Sequence, residues 1–348
     1  MKKLMLTTAI AGLALTASAI AQTSITGEMR VTHKAIGSEV STGSTTTSGR
    51  GFGTEQQINF ANKGKLNVGG LDYAAGFSLE NDGSQSTSLF NENAYIDITN
   101  ASSGTTLSFS IDHIQRNDSD RSAANIFGFA PSEFSSSGHA SLMSATPGPG
   151  VGQSQSIAVI QDIGKFGKLA YNYAPTATDK AATTATGAGS SEAFTETNEK
   201  SAYEISFVGN LGVQGLTVDY FTSKQKQMSG VAIQAEGENI GVRYNTGALT
   251  LGAARKVWND KSGSPKVEIT EKNYGIAYAV NNNVTLGLLH ATAETTTANT
   301  ETQKLTAIQL GYNLGPVALT VGVARNTDIA GTNGADSDMI MTRLTGAF

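Results

Sequence analysis

Apolar and polar positions alternate along this chain, segment after segment. Ile25, Gly27, Met29 and Val31 oppose Thr26, Glu28, Arg30, Thr32 and Lys34. Tyr73, Ala75, Phe77 and Leu79 oppose Ala74, Gly76, Ser78 and Glu80, and Val317, Leu319, Val321 and Val323 oppose Ala318, Thr320 and Gly322. The chain closes in the same way: Ile340, Thr342, Leu344, Gly346 and Phe348 alternate with Met341, Arg343, Thr345 and Ala347. Successive strand residues point to opposite faces, so a period of two predicts strands with one apolar and one polar face. The pattern predicts strands over 23–35, 53–62, 70–81, 92–99, 105–112, 155–161, 166–174, 201–209, 215–223, 238–245, 248–257, 271–280, 284–293, 304–313, 317–326 and 337–348. That is sixteen; the splitting of 53–81 and 153–174 leaves fourteen or eighteen open.

The connectors alternate in length. Short ones carry Gly and Asn, as in Asn245–Gly247 and Asn281–Asn283, residues that tolerate the positive φ of hairpin turns. Between them lie longer polar loops at 36–52, 82–91, 113–154, 175–200, 224–237, 258–270, 294–303 and 327–336. Sustained alternation puts the short turns at one rim of a sheet and the long loops at the other.

The N-terminus narrows the compartment. Met1-Lys2-Lys3, an apolar run from Leu4 and the small residues Ala19 and Ala21 form a secretory leader, with the mature chain expected from Gln22. The run is too short and interrupted for a span of about 20 residues. Two of the 24 Lys and Arg lie in this leader, leaving 22 against 29 acidic residues and a net charge of −7, which argues against a nucleic-acid partner. There are no cysteines, so no disulfide holds the exported chain. The four His lack a metal-binding spacing, and no cofactor is expected. Asn117-Asp118-Ser119-Asp120 has alternating oxygen ligands but not the rest of a calcium loop, and reads as a plain polar loop.

Alternation suits a soluble β-sandwich, whose apolar faces pack together, or a transmembrane barrel, whose apolar face meets lipid. Three features favour an all-β, antiparallel up-and-down transmembrane barrel. The opposing face is small or charged, as a water-filled lumen tolerates. Tyr73, Tyr173, Tyr220, Tyr244, Tyr312 and Phe348 recur on the apolar face near strand ends, as interfacial girdles require. The short–long asymmetry runs the whole length.

Over residues 22–348 the chain resembles the Gram-negative general porins, the trimeric diffusion porins. The resemblance rests on the leader, on Gly70-Leu71-Asp72-Tyr73-Ala74-Ala75-Gly76-Phe77-Ser78-Leu79-Glu80, which looks like the family's third strand, and on the terminal Phe348. It implies an outer-membrane homotrimer in lipid and lipopolysaccharide, with Phe348 part of the signal read by the barrel assembly machinery. It also implies that 113–154 is the loop that folds into the barrel and narrows it. Pro131-Ser132-Glu133-Phe134 echoes a Pro-Glu-Phe sequence found there, with Ser132 intervening.

Such a loop sets an acidic cluster against basic wall residues. The acidic candidates are Asp112, Asp118, Asp120 and Glu133; the basic candidates on inward positions are Arg30, Lys168, Arg243 and Arg343. Arg116 and Arg121 are alternative local partners of Asp118 and Asp120. Arg255 shares the apolar parity of Leu249 and Leu251, which fits only at the outer rim, because a mid-depth charge facing lipid costs roughly 2–4 kcal/mol. The expected function is passive diffusion of small hydrophilic solutes and ions. A solute-selective channel is the alternative, with a secreted sandwich or adhesin behind it. An enzyme is not expected: His113 and His290 have Ser or Thr nearby, but in a chain this rich in both such proximity carries nothing.

Overall fold

The computed structural model describes residues 22–37, 49–82, 90–111, 127–134, 142–143, 151, 155–175, 201–225, 235–260, 267–297 and 300–348. Among them are sixteen strands: β1 (Gln22–Ile36), β2 (Gly49–Lys65), β3 (Asp72–Asp82), β4 (Phe90–Asn100), β5 (Thr105–Ile111), β6 (Ser156–Asp162), β7 (Lys168–Ala174), β8 (Ala202–Gly209), β9 (Leu216–Gln225), β10 (Ala235–Thr246), β11 (Leu249–Asp260), β12 (Val267–Ala279), β13 (Val284–Thr295), β14 (Gln303–Asn313), β15 (Val317–Thr327) and β16 (Ser337–Ala347). Each pairs antiparallel with its chain neighbour, and β16 returns to β1, so the sheet is a closed barrel. Closure satisfies every strand edge within the protein, which hydrocarbon cannot do. No helix among the described residues is long and apolar enough to cross a membrane.

The alternation in sequence is the alternation of faces. Ile25, Ile96, Ile240, Ile276, Ile308 and Ile340 are exposed outward, while their neighbours point inward. An exterior of exposed Ile, Leu, Val and Phe belongs in lipid. The interior carries polar groups that the β-sandwich alternative would have left in bulk water: Ser108, Asn172, Glu204, Ser206, Asn239 and Gln309 are all buried.

Several strands overrun their predicted bounds at the long-loop end. β10 and β11 stay paired out to Ala235 and Asp260, and β12 begins at Val267. The hydrogen-bond ladder needs no hydrophobic alternation once it leaves the bilayer, so a polar hairpin continues unannounced. At the opposite rim the turns are tight; Gly247 between β10 and β11 takes φ +70°, a conformation that suits glycine.

The seam joins the two ends of the chain. The β1–β16 register runs from Glu28 opposite Ala347 to Ile36 opposite Met339. Beyond it, Gly27 and Phe348 exchange two backbone hydrogen bonds of 2.9 Å. The Phe348 ring lies over Gly27 on the outside of the barrel, where a Cβ on residue 27 would collide with it.

Candidate pore constriction

Inside the barrel, β13, β14 and β15 present an unusual surface. Their inward residues include Gly287, Ala291, Ala307, Gly311, Gly322 and Ala324, which leave shallow notches between the larger Leu289, Leu305 and Gln309. The segment 127–134 lies in these notches. A Cβ at Gly287 or Gly311 would come within 2.5 Å of the Phe127 ring, and one at Gly322 within 2.9 Å of Phe129 and 3.0 Å of Phe134. Phe129 and Phe134 are fully buried, meeting edge to face at 5.7 Å, with Met143, Leu289, Leu305, Met339 and Met341 around them. The small inward residues that suggest a watery lumen are, on these strands, sockets for aromatic rings.

Polar groups fix the register of this docking. Gln309 grips the backbone of Phe129 from both sides: its Oε1 accepts from the Phe129 N–H at 2.6 Å and its Nε2 donates to the Phe129 carbonyl at 3.1 Å. Gly128, at φ +75°, lies so close to the Gln309 amide that any side chain there would displace it. Gln303 accepts from the Leu142 N–H at 2.8 Å and donates to Asn326, which in turn donates to the Phe134 carbonyl at 3.5 Å. A buried segment must have its backbone groups satisfied, and here wall amides do so.

Glu133 joins this segment to the far side of the seam. One carboxylate oxygen accepts from the Ala130 N–H at 2.8 Å, closing the single turn Pro131–Phe134; the other pairs with Arg343. The Arg343 guanidinium also sits 4.7 Å from the Phe129 ring centroid and donates through Nε to Thr32 at 3.2 Å. Lys34 donates to the Glu133 carbonyl at 3.0 Å. Four residues before Lys34 on β1, Arg30 is held by Glu28 and by Glu55, the latter at 2.8 and 3.0 Å. Three acids (Glu28, Glu55, Glu133) therefore face three bases (Arg30, Lys34, Arg343), and this cluster carries no net charge.

The other candidates fall elsewhere. Lys168 opens β7 opposite Asp162, exposed and inward at the short-turn mouth. Arg243 is inward and half-buried, three residues before the end of β10 at the same mouth. Asp112, Asp118 and Asp120 lie outside the described residues, as do Arg116, Arg121, His113 and the leader 1–21. His290 faces outward and shares a hydrogen bond of 2.9 Å with Thr306. Arg255 is exposed on the outer face at the long-loop end of the apolar band, where its parity requires it.

The anchoring glutamines are not singled out by residue type. The signal that marks them is the coincidence of Gln303 and Gln309 with Gly and Ala on one inward face. A second interior feature is the pair of Lys256 and Glu271, almost wholly buried with Nζ and Oε1 3.4 Å apart, Glu271 accepting also from Asn273 at 2.7 Å.

Solved structures with the same architecture are porins and outer-membrane proteins. The anion-selective porin of Comamonas acidovorans superposes with a TM-score of 0.64 at 12% identity, over 94% of this chain and 100% of that one. A multiple mutant of the Rh. blastica porin gives 0.58 at 15% identity over the same shares. A loop-deletion mutant of OmpT, an outer membrane protein of Vibrio cholerae, gives 0.60 at 12%, over 94% of this chain and 99% of that one. No curated protein sequence matches. At such identities the superpositions establish the barrel alone. The sequence model of the Gram-negative porins, however, matches residues 7–331, and on that match the chain belongs to the Gram-negative porin family.

Proposed function

We propose that this porin is a passive, non-specific diffusion channel for small hydrophilic solutes and ions, narrowed by the segment docked on β13–β16. The observation that carries this reading is the Glu133–Arg343 contact, which ties an inserted segment to the wall through a charge-balanced cluster. The balanced part of the lining restricts by size, and any preference for sign comes from charges beyond it. On this reading Glu28, Glu55, Arg30, Lys34, Arg343 and Glu133 line the narrow section. Asp112, Asp118 and Asp120 supply the remaining acidic face of the loop, and Lys168 and Arg243 collect anions at the short-turn mouth. Residues 1–21 are the cleaved leader. The channel assembles as a homotrimer amid outer-membrane lipid and lipopolysaccharide, with Phe348 presented to the barrel assembly machinery. The family's character as channels supports a protein without catalytic activity.

Planar-bilayer recording tests this: each insertion is expected to add three equal, non-saturating conductance steps. Saturable block by one solute would point to the solute-selective alternative, and absence of conductance would overturn both. Asp118→Asn with Asp120→Asn should shift the reversal potential in a salt gradient toward anions; an unchanged potential removes those two residues from the constriction.

A further inference from the structure

We propose that Arg255, Lys272 and Lys304 form a site for the phosphates of an outer-leaflet lipid headgroup. The inference deepens the reading of lipopolysaccharide as a partner and rests on it. The three cations lie in one cross-strand row. Arg255 pairs with Lys272, Lys272 with Thr292, and Thr292 with Lys304, and all four have outward parity. At about 4.8 Å per strand the row spans roughly 14 Å of backbone, long enough for more than one phosphate.

Its position is the edge of the apolar band. On β12 the outward residues run Tyr278, Ile276, Tyr274 and then Lys272; on β14 they run Tyr312, Leu310, Ile308, Thr306 and then Lys304. Eight residues from Tyr312 to Lys304 cover roughly 26 Å along the strand, or about 20 Å of height at the usual tilt, close to the thickness of a barrel's lipid-facing band. Of the outward-facing Lys and Arg among the described residues, all but Arg50 lie on β9–β15.

The row is not satisfied by the protein. Arg255 and Lys272 sit directly opposite one another, an arrangement of like charges that destabilises a sheet unless an anion lies between them. Lys272 has a partial partner in Glu294 at 3.3 Å, and Arg325 on β15 is held by Asp336 and Asp338. Glu238 lies one step further toward the loops. Arg255 and Lys304 are exposed and have no ion pair among the described residues. Long stems that cover apolar surface while the charged head reaches the headgroup layer suit this depth.

The test is a binding titration of the detergent-solubilised porin, followed by native mass spectrometry. The ligands are an acylated disaccharide lipid with two phosphates and its dephosphorylated form. The wild type should prefer the phosphorylated lipid, and Arg255→Gln, Lys272→Gln, Lys304→Gln together should weaken it on the order of tenfold or more. Conductance and heat-modifiable migration should stay at wild-type values. If the triple variant does not fold, Lys304→Gln alone should give a smaller loss in the same direction. Equal binding by variant and wild type would overturn the site, and equal binding of the dephosphorylated lipid would overturn the phosphate chemistry. Displacement by millimolar inorganic phosphate would assign the row to a free anion. Failure of the wild type to bind either lipid would instead remove the lipid as a partner.

Discussion

Phe129→Ala separates the docked segment from the barrel that holds it. The ring is fully buried, edge-on to Phe134, beneath the Arg343 guanidinium and in the notch left by Gly322. Truncating a buried Phe to Ala costs about 3–5 kcal/mol, through lost burial and the cavity left behind. At about 1.4 kcal/mol per factor of ten, the middle of that range shifts the docked-to-undocked ratio of 127–134 by nearly a thousandfold. The Gln309 bonds to the Phe129 backbone remain, because they involve no atom of the ring. No strand pairing changes, so migration on a gel before and after heating should match the wild type. Single-channel conductance should rise and become noisier, and liposome-swelling rates should increase most for the largest sugars that enter. Gly322→Val should move the same readouts in the same direction by overfilling the notch, with a cost of about 1–3 kcal/mol. A folded Phe129→Ala channel with wild-type conductance and size cut-off would refute the idea that this docking sets the aperture.

Glu55→Gln leaves Arg30 with Glu28 alone and gives the constriction cluster one net positive charge; the reversal potential should shift toward anion preference, most at low salt. Gly27→Val places a branched side chain where the Phe348 ring lies, so both it and deletion of Phe348 should slow assembly into the membrane, with little change in the conductance of channels that do insert. Lys256→Met strands the buried Glu271 carboxylate and should destabilise the barrel by about 3–5 kcal/mol, read as a lower temperature of heat modification; adding Glu271→Met should recover most of the loss.

The architecture was legible because a tilted spanning strand has to alternate, and Ile240, Val242 and Tyr244 against Gly241 and Arg243 do so without tertiary help. Arg343 could be assigned to the lumen for the same reason. The docking bed was not legible. Gly287, Gly311 and Gly322 read as lumen-facing small residues, and their role appears only when Phe127 and Phe129 arrive from far along the chain. Periodicity reports which face a residue takes and is silent about what crosses the lumen to meet it. The strand ends lie beyond the predicted ones for a related reason: Ala235 to Gly237 pair with β11 through their backbones, and backbone pairing leaves no mark on residue type once the apolar band is passed.

The seam has a consequence for how the barrel is made. Every other strand pair closes over a connector, whereas Gly27 and Phe348 come from opposite ends of the chain. Each doubling of loop length adds about 0.6 kcal/mol of closure entropy, so joining ends some 320 residues apart costs about 4 kcal/mol more than joining a hairpin with a four-residue turn. Hairpins can therefore zip in any order, but the ring shuts late, and the contact that closes it joins the first strand to the sixteenth. A truncated chain would keep two open sheet edges, at β1 and at its final strand, each a template for pairing with other chains. Seating the Phe348 ring over Gly27 ties closure of the barrel to the docking of β16 beside β1.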